Sequence, residues 1–144
     1  MLEYAKGYSV GRGTDVPFEQ IGAEWIHGAE LARFLNERSI PGVRAYATRF
    51  TPTAAPLKDR PLEGVRFIVV NREQFSSVGL GLEVAYALGK LYPGKLDLES
   101  CRKLIGNKKV MDSIKAGEDP RSIEQRIEEE LSAFEERRRP YLLY

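Results

Sequence analysis

The stretch that decides the fold is VRFIVV, residues 65–70. This nearly continuous run of β-branched and aromatic residues is typical of a β-strand buried on both faces. Two more strands are predicted before it, at Leu2 to Val10 and at Val43 to Phe50. Between those two, apolar residues recur at helical spacing over Gly28 to Arg38, so a helix is expected to join them. A small sheet with a helix between strands is the minimal fold of the first half.

Helix signals dominate the second half of the chain. An apolar stripe predicts a helix over Val78 to Tyr92, where a Pro-Gly pair ends it. Asp97 is expected to cap a short helix that closes at Gly106, and Asn107 to cap another that ends at Gly117. These short elements follow one another with little room for loops.

The last predicted helix has the clearest start. Asp119 followed by Pro120 is an N-cap with proline at the first helical position, and the helix is expected to run to about Arg139. One face carries an apolar stripe of Ile123, Ile127, Leu131 and Phe134, and the other carries mixed charges typical of a solvated surface. We therefore predict one α+β domain over residues 1–144, a small mixed sheet flanked by four or five helices.

Composition excludes several classes of protein. The chain has 144 residues, 42% hydrophobic and 30% charged, which is the range of packed globular domains. With 22 Lys and Arg against 21 Asp and Glu the net charge is +1, so we expect neither nucleic acid nor an anionic membrane as a partner. We expect no membrane span, because the longest apolar runs fall short of the ~20 residues that one needs.

Cysteine and histidine are too few for several kinds of site. The chain has one cysteine, Cys101, and one histidine, His27, which cannot make an internal disulfide or a structural zinc site. Gly79 and Gly81 lack the third glycine of a dinucleotide motif, and the sequence contains no P-loop. We expect no metal and no cofactor.

The most unusual segment is SVGRGTDVPFE, residues 9–19. Two glycines flank Arg12, so the backbone can adopt positive φ on both sides and present the guanidinium outward. Thr14 or Asp15 is then expected to cap a short helix at Pro17 to Ile21, which makes the turn a cradle for an anionic or polyhydroxylated ligand. The alternative is a structural turn in which Arg12 pairs with Asp15 or Glu19.

Two other features bear on ligand binding. Trp25, Phe18 and Tyr46 are either core aromatics or rings that stack on a sugar face. The segment from Thr51 to Glu63 contains three prolines, which predict a long loop that is either a binding loop or a flexible connection.

The segment at residues 9–19 also carries a resemblance. Together with PFEQIGA at residues 17–23 and Trp25-Ile26, it resembles the bacterial exo-β-N-acetylmuramidases, a glycoside hydrolase family. Further similar words follow in order along the chain: PGV at 41–43, RFTPT at 49–53, Gly64-Val65, LYP at 91–93, Gly106-Asn107 and YLLY at 141–144.

The resemblance implies the smaller C-terminal part of a two-domain glycosidase that degrades peptidoglycan. Members of the family have an N-terminal α/β domain before this region, and the catalytic glutamate is implied to lie there, so we assign no catalytic residue to this chain. The chain is then expected to form one wall of the substrate cleft, and such bacterial proteins are often exported. The competing hypothesis is a freestanding protein-interaction domain without catalysis.

A muramic-acid-containing sugar carries an anionic lactyl carboxylate, and a guanidinium recognises a carboxylate through two parallel hydrogen bonds. Either Arg12 or Arg49 is expected to bind that group. The predicted substrate-binding set contains Ser9, Arg12, Gly13, Thr14, Phe18, Glu19, Trp25, Arg49 and Thr51.

Overall fold

The computed structural model describes residues 1–54 and 57–142. Its sheet has three strands, β1 (Gln20–Ala23), β2 (Val43–Phe50) and β3 (Leu62–Val69), in the order β1-β3-β2. The α+β class is confirmed. The sheet was expected to be mixed, but both strand pairs are antiparallel. The chain connects β2 to its neighbour β3 through a loop, and a parallel pair would need a longer crossover.

Among the residues that the structure describes, five α-helices accompany the sheet: α1 (Gly28–Glu37), α2 (Ser77–Leu91), α3 (Arg102–Ile105), α4 (Lys108–Lys115) and α5 (Pro120–Arg138). Two 3-10 turns lie at Glu99–Cys101 and Arg139–Tyr141. Within residues 1–54 and 57–142, no helix combines the length and apolarity that a bilayer crossing requires.

The predicted caps are confirmed at two helices. Asn107 accepts a hydrogen bond from the Val110 N–H at the start of α4, and Asp119 accepts one from the Arg121 N–H at the start of α5. The Asp97 carboxylate accepts from the Ser100 N–H, but this bond lies in the 3-10 turn that precedes α3 instead of at the start of α3 itself. Local polar signals therefore place most helix starts correctly.

The strand predicted at Leu2 to Val10 is wrong. Only Ser9 bridges to the sheet, opposite Gly22. Leu2, Ala5 and Tyr8 are the buried apolar residues of this segment, and they recur every third residue rather than every second. The segment therefore coils over the core instead of extending along it.

The short helix predicted at Pro17 to Ile21 is also wrong. The backbone of Phe18 has a φ of +68°, which breaks any helix at that point, and strand β1 begins two residues later. Ile21 and Ala23 are buried in the core, and all four residues of β1 pair with β3. Pairing with β3 therefore overrides the local capping signal.

Strand β3 is not buried on both faces. Helix α1 packs on β2 and β3 from one side only. Because side chains alternate across a strand, the opposite side carries a second set, which we call the open face: Gln20, Gly22, Arg44, Tyr46, Thr48, Phe50, Leu62, Gly64, Arg66 and Ile68. Tyr46 and Ile68 are exposed there.

The free edge of β2 is held by one side chain of α1. The Asn36 amide donates to the Ala45 carbonyl at 2.8 Å and accepts from the Ala45 N–H at 3.0 Å. The edge of the sheet and the helix that covers it are thereby joined at a single residue.

An ionic cluster ties the end of α1 to α2 and α5. The Arg38 guanidinium donates to both carboxylate oxygens of Glu83 at 2.8 and 2.9 Å and to both of Asp119 at 3.0 Å. These bonds raise the pKa of Arg38, and the Arg38 bond lowers the pKa of Asp119. Three elements distant in sequence meet at this one guanidinium.

Helix α5 packs on α2 and α4 through only part of its predicted stripe. Ile123 is buried and Ile127 half-buried, whereas Leu131 and Phe134 are exposed. The final two residues of the YLLY word, Leu143 and Tyr144, lie outside the described residues.

Candidate functional site

The turn at residues 9–19 is held together by its own polar side chains. The buried Ser9 hydroxyl accepts from the Gly11 N–H at 3.1 Å. The Thr14 hydroxyl donates to the Gly11 carbonyl at 2.7 Å and accepts from the Gln20 amide at 2.9 Å. The hydroxyls of Ser9 and Thr14 therefore fix the shape of the turn.

The glycines of this turn are required by the packing of the chain itself. Gly11 and Gly13 both have a φ of +76°. A Cβ on Gly13 would lie 2.5 Å from the Ala54 backbone nitrogen. The backbone N–H and the hydroxyl of Thr53 each donate to the Gly13 carbonyl at 2.9 Å. At Gly13 the chain's own loop makes this close approach to the turn.

The hydrogen bonds from Thr53 to Gly13 also hold the loop that was predicted over Thr51 to Glu63. Its loop character is confirmed at the described residues 51–54 and 57–61, and β3 begins at Leu62. Pro52 and Leu57 are buried while Thr51 is exposed, and Pro56 lies outside the described residues. The described part of the loop is therefore anchored on the turn.

Arg12 projects from this anchored turn into solvent. Its guanidinium pairs with Glu3, not with Asp15 or Glu19 as the structural alternative predicted. The guanidinium carbon lies 5.1 Å from the centre of the Phe18 ring, a cation–π distance. Phe18 is 59% exposed although its φ of +68° is strained for a bulky residue. The turn thus presents a guanidinium stacked on an exposed aromatic ring.

The turn continues onto the open face of the sheet. Glu19 accepts from Arg66 Nη2 at 3.4 Å, and Arg66 lies on the open face opposite Tyr46. Arg66 Nε is buried and has no hydrogen-bond partner among the described residues. Arg12, Phe18, Glu19 and Arg66 therefore form the polar and aromatic part of this side of the molecule, which we call the turn surface.

Trp25 belongs to a different environment. Its ring contacts Tyr92 edge-on, with 5.4 Å between the ring centres, and it is half-buried. The Tyr92 hydroxyl accepts from the His27 N–H at 3.1 Å and lies 3.3 Å from a Glu30 carboxylate oxygen. Burial raises the pKa of Tyr92. This group packs at the start of α1.

Arg49 belongs to β2, and its side chain lies beside the start of α1. Its Nε donates to Glu63 Oε1 at 2.7 Å, and Glu63 Oε2 accepts from the Gly28 N–H at 3.4 Å. The Arg49 hydrogen bond lowers the pKa of Glu63. The two side chains line an open concavity with Gly28 and Ala47.

The predicted set is therefore divided between the two faces of the sheet. Arg49 and Glu63 alternate with open-face residues and face α1, whereas the turn rests on the open face through Gln20. Sequence reasoning missed Glu3, Arg66, Glu63 and Tyr92. Glu63 was open to prediction, since pairing β2 with β3 across the loop places it directly opposite Arg49.

Carboxylates near the turn are paired with arginines rather than with one another. Glu19 contacts Arg66, and Glu24 contacts Arg60 at 3.2 Å. The part of the chain that the structure describes contains no group of three or more His, Cys, Asp or Glu side chains arranged for a metal ion. The arrangement can recognise an anion or a sugar ring, through a guanidinium and an aromatic face.

These features define a small α+β domain with a guanidinium–aromatic surface. A protein-family model described as "Exo-beta-N-acetylmuramidase NamZ, C-terminal" matches residues 1–144, and the chain belongs to that family.

One relative agrees with this assignment, and one solved structure shares the fold. The chain is 37% identical over 139 residues to the peptidoglycan beta-N-acetylmuramidase NamZ of Bacillus subtilis (strain 168), covering 94% of this chain and 34% of that protein. A crystal structure of a DUF1343 family protein from Bacteroides fragilis NCTC 9343 shares the fold. Its TM-score is 0.68 at 23% identity, over 99% of this chain and 38% of that one. The chain thus spans about a third of the length of the relatives it matches.

Proposed function

We propose that this chain acts as the C-terminal part of a peptidoglycan-degrading exo-β-N-acetylmuramidase and forms one wall of its substrate cleft. The observation that carries the proposal is the match of the family model to every residue from 1 to 144. Since the relatives are about three times as long, the catalytic groups are assigned to the N-terminal part that they carry. This chain then contributes substrate contacts.

Within that wall, the turn surface is the part we assign to the sugar. The Arg12 guanidinium has five N–H donors and one of its nitrogens donates to the Glu3 carboxylate, so it can pair with a ligand carboxylate in the same way. The exposed Phe18 ring beside it offers an apolar face to a sugar ring. Ser9, Gly13 and Thr14 support the two contacting side chains by fixing the turn. A muramic-acid-containing sugar, with one carboxylate beside a ring, fits this pair.

Arg49 is the second candidate for the carboxylate. Its Nε and Nη2 both contact Glu63, whose carboxylate is also held by the Gly28 N–H. Glu63 is thus a fixed structural partner, whereas Glu3 contacts Arg12 from the coiled N-terminal segment. We therefore place Arg12 before Arg49 as the residue that binds the lactyl carboxylate.

A chimera tests the proposal. The C-terminal part of the Bacillus subtilis relative is replaced by this chain, and hydrolysis of a chromogenic β-N-acetylmuramide is compared with that of the matching β-N-acetylglucosaminide. We expect the chimera to hydrolyse the muramide, while the truncated relative and the 144-residue chain alone do not. Turnover by the chain alone would contradict the assignment of catalysis to the N-terminal part.

Arg12 is tested in the same chimera. Arg12→Ala should lower kcat/KM for the muramide about 10- to 100-fold, the range expected for a lost charged hydrogen bond. The matched control is Arg33→Ala, which removes another exposed arginine from an ion pair with Glu37 on α1; the Arg33 side chain is 67% exposed and the Arg12 side chain 56%. Equal activities of the two variants would remove Arg12 from the substrate site.

A further inference from the structure

The C-terminal half of α5 projects from the body of the molecule. All residues from 128 to 138 are exposed, whereas Ile123, near the start of the helix, is buried. At about 1.5 Å per residue this exposed part is roughly 17 Å long. Helices of this length draw most of their stability from packing an apolar face, and this part has no such packing among the described residues.

The projecting part nevertheless carries an apolar stripe. Leu131 is 45% exposed and Phe134 49% exposed, at the spacing that continues from the half-buried Ile127. Tyr141 and Leu142 follow, at 84% and 49% exposure. We call Leu131, Phe134, Tyr141 and Leu142 the α5 stripe. The other side chains of this helix end are mostly charged, and the Arg138 guanidinium carbon lies 5.9 Å from the centre of the Phe134 ring. An amphipathic helix end of this kind is typical of a helix that packs its apolar face against another part of a protein.

The size of the α5 stripe identifies the kind of partner. Its four side chains expose on the order of 500 Å², since aromatic side chains carry roughly 150–250 Å² each. A stable complex between free proteins buries about 800 Å² on each side, so this patch is too small to hold a second copy or a separate protein by itself. It is sufficient for a domain of the same polypeptide, because tethering removes most of the entropy cost of association.

The relatives supply such a tethered partner. The Bacillus subtilis relative continues for about two-thirds of its length beyond the matched region, and the Bacteroides fragilis structure for a similar share. We infer that the α5 stripe docks on the N-terminal part that proteins of this family carry, as an interdomain anchor separate from the turn surface. The inference rests on the proposed function only in taking that part as the partner.

Trypsin digestion measures this contact directly. Arg137 and Arg138 lie on the projecting helix and are cleaved when it frays. In the 144-residue chain we expect rapid cleavage at these two sites. In the chimera with the relative's N-terminal part, cleavage there should be at least about 10-fold slower, since docking holds the helix closed.

Two double variants of the chimera separate docking from a general effect of charge. Leu131→Asp with Phe134→Asp should restore the cleavage rate of the chain alone. Ser132→Asp with Ala133→Asp places the same two charges on the same turn but away from the α5 stripe, and should remain protected. Loss of protection in both variants would overturn the inference.

The remaining outcomes separate this inference from the proposed function. A chimera that is inactive but protected at Arg137 and Arg138 supports the contact and contradicts the proposed function. A chimera that is active but cleaved as fast as the chain alone supports the function and overturns the contact. Protection of the chain alone that rises with its own concentration assigns the α5 stripe to a second copy and also overturns the inference.

Discussion

Arg38 and Arg12 both pair with carboxylates, but in opposite surroundings. The Arg38 side chain is 19% exposed and its partner Glu83 7% exposed, and a second carboxylate completes the cluster. The Arg12 side chain is 56% exposed, and its one carboxylate partner comes from the coiled N-terminal segment. Because a buried charge without its partner is costly and an exposed one is not, Arg38 belongs to the scaffold, whereas Arg12 is the arginine that we propose for ligand binding.

The largest effect is expected at Arg38. Arg38→Met leaves Glu83 buried without its cation, which should cost about 3–5 kcal/mol of unfolding free energy in urea. Arg38→Met with Glu83→Leu removes both charges and should recover a large part of the loss. A double variant no more stable than Arg38→Met would show that the cluster does not act as a pair.

A substitution at Gly13 tests how tightly the turn that carries Arg12 is packed against the loop. Gly13→Ala adds a Cβ 2.5 Å from the Ala54 nitrogen at a φ of +76°. Gly94→Ala is the matched control, since Gly94 has a φ of +77° and open space around it. The control should lose about 1–2 kcal/mol from backbone strain alone. Gly13→Ala should lose roughly 1–3 kcal/mol more by overpacking. Equal losses would mean that the loop moves away freely.

Acidification tests the charged part of the Arg38 cluster. The folded-state pKa of Asp119 is lowered by Arg38, so its contribution to stability is complete above the unfolded-state pKa and is lost as the pH falls through the folded value. Asp119→Asn keeps a capping side chain at α5 but removes the charge. The stability difference between wild type and Asp119→Asn should be about 1 kcal/mol or less at pH 7, because this carboxylate is partly exposed.

That difference should shrink as the pH falls below the unfolded-state pKa of about 3.9, and it should vanish once the pH lies below the lowered folded-state pKa, where the Asp119 carboxyl is protonated in both states. Thermal unfolding followed by circular dichroism over pH 2–7 measures it. A difference independent of pH would assign the effect of Asp119 to the helix cap instead of to its charge.

The smallest effect is expected at Arg12. Arg12→Ala should change the unfolding free energy by about 0–1 kcal/mol, as for other exposed ion pairs. Denaturant unfolding of the 144-residue chain measures it, with Arg33→Ala as the matched exposed variant. A loss of unfolding free energy as large as that of Arg38→Met would place Arg12 in the scaffold and contradict the contrast between the two arginines.

Sequence-based prediction succeeded for the elements that local side-chain chemistry determines. It failed for the elements that depend on contacts between residues distant in sequence. The starts of α4 and α5 follow from Asn107 and Asp119, whose side chains cap the nearest N–H groups. The turn at residues 9–19 was recognisable, but the strand that follows it depends on pairing with β3, which lies about forty residues further along the chain. The local sequence pattern around β1 does not indicate that pairing.

The site was predictable to the same degree. The glycines and Arg12 mark an unusual turn, and the exposure of Arg12 and its stacking on Phe18 agree with a ligand-facing role, which stays a prediction. The partner of Arg12 was missed because Glu3 reaches it only when the N-terminal segment coils back. The Arg38 cluster was missed for the same reason, since Glu83 and Asp119 lie on two other helices.

The amide of Asn36 has a consequence for solubility. By bonding both the N–H and the carbonyl of Ala45, it occupies the positions that an incoming β-strand would use on the free edge of the sheet. Exposed strand edges are templates for edge-to-edge aggregation, and side chains or helices that cover them interrupt the ladder. One amide on α1 thus makes β2 a poor template at its third residue, so two copies of this protein cannot pair edge to edge along the whole of β2.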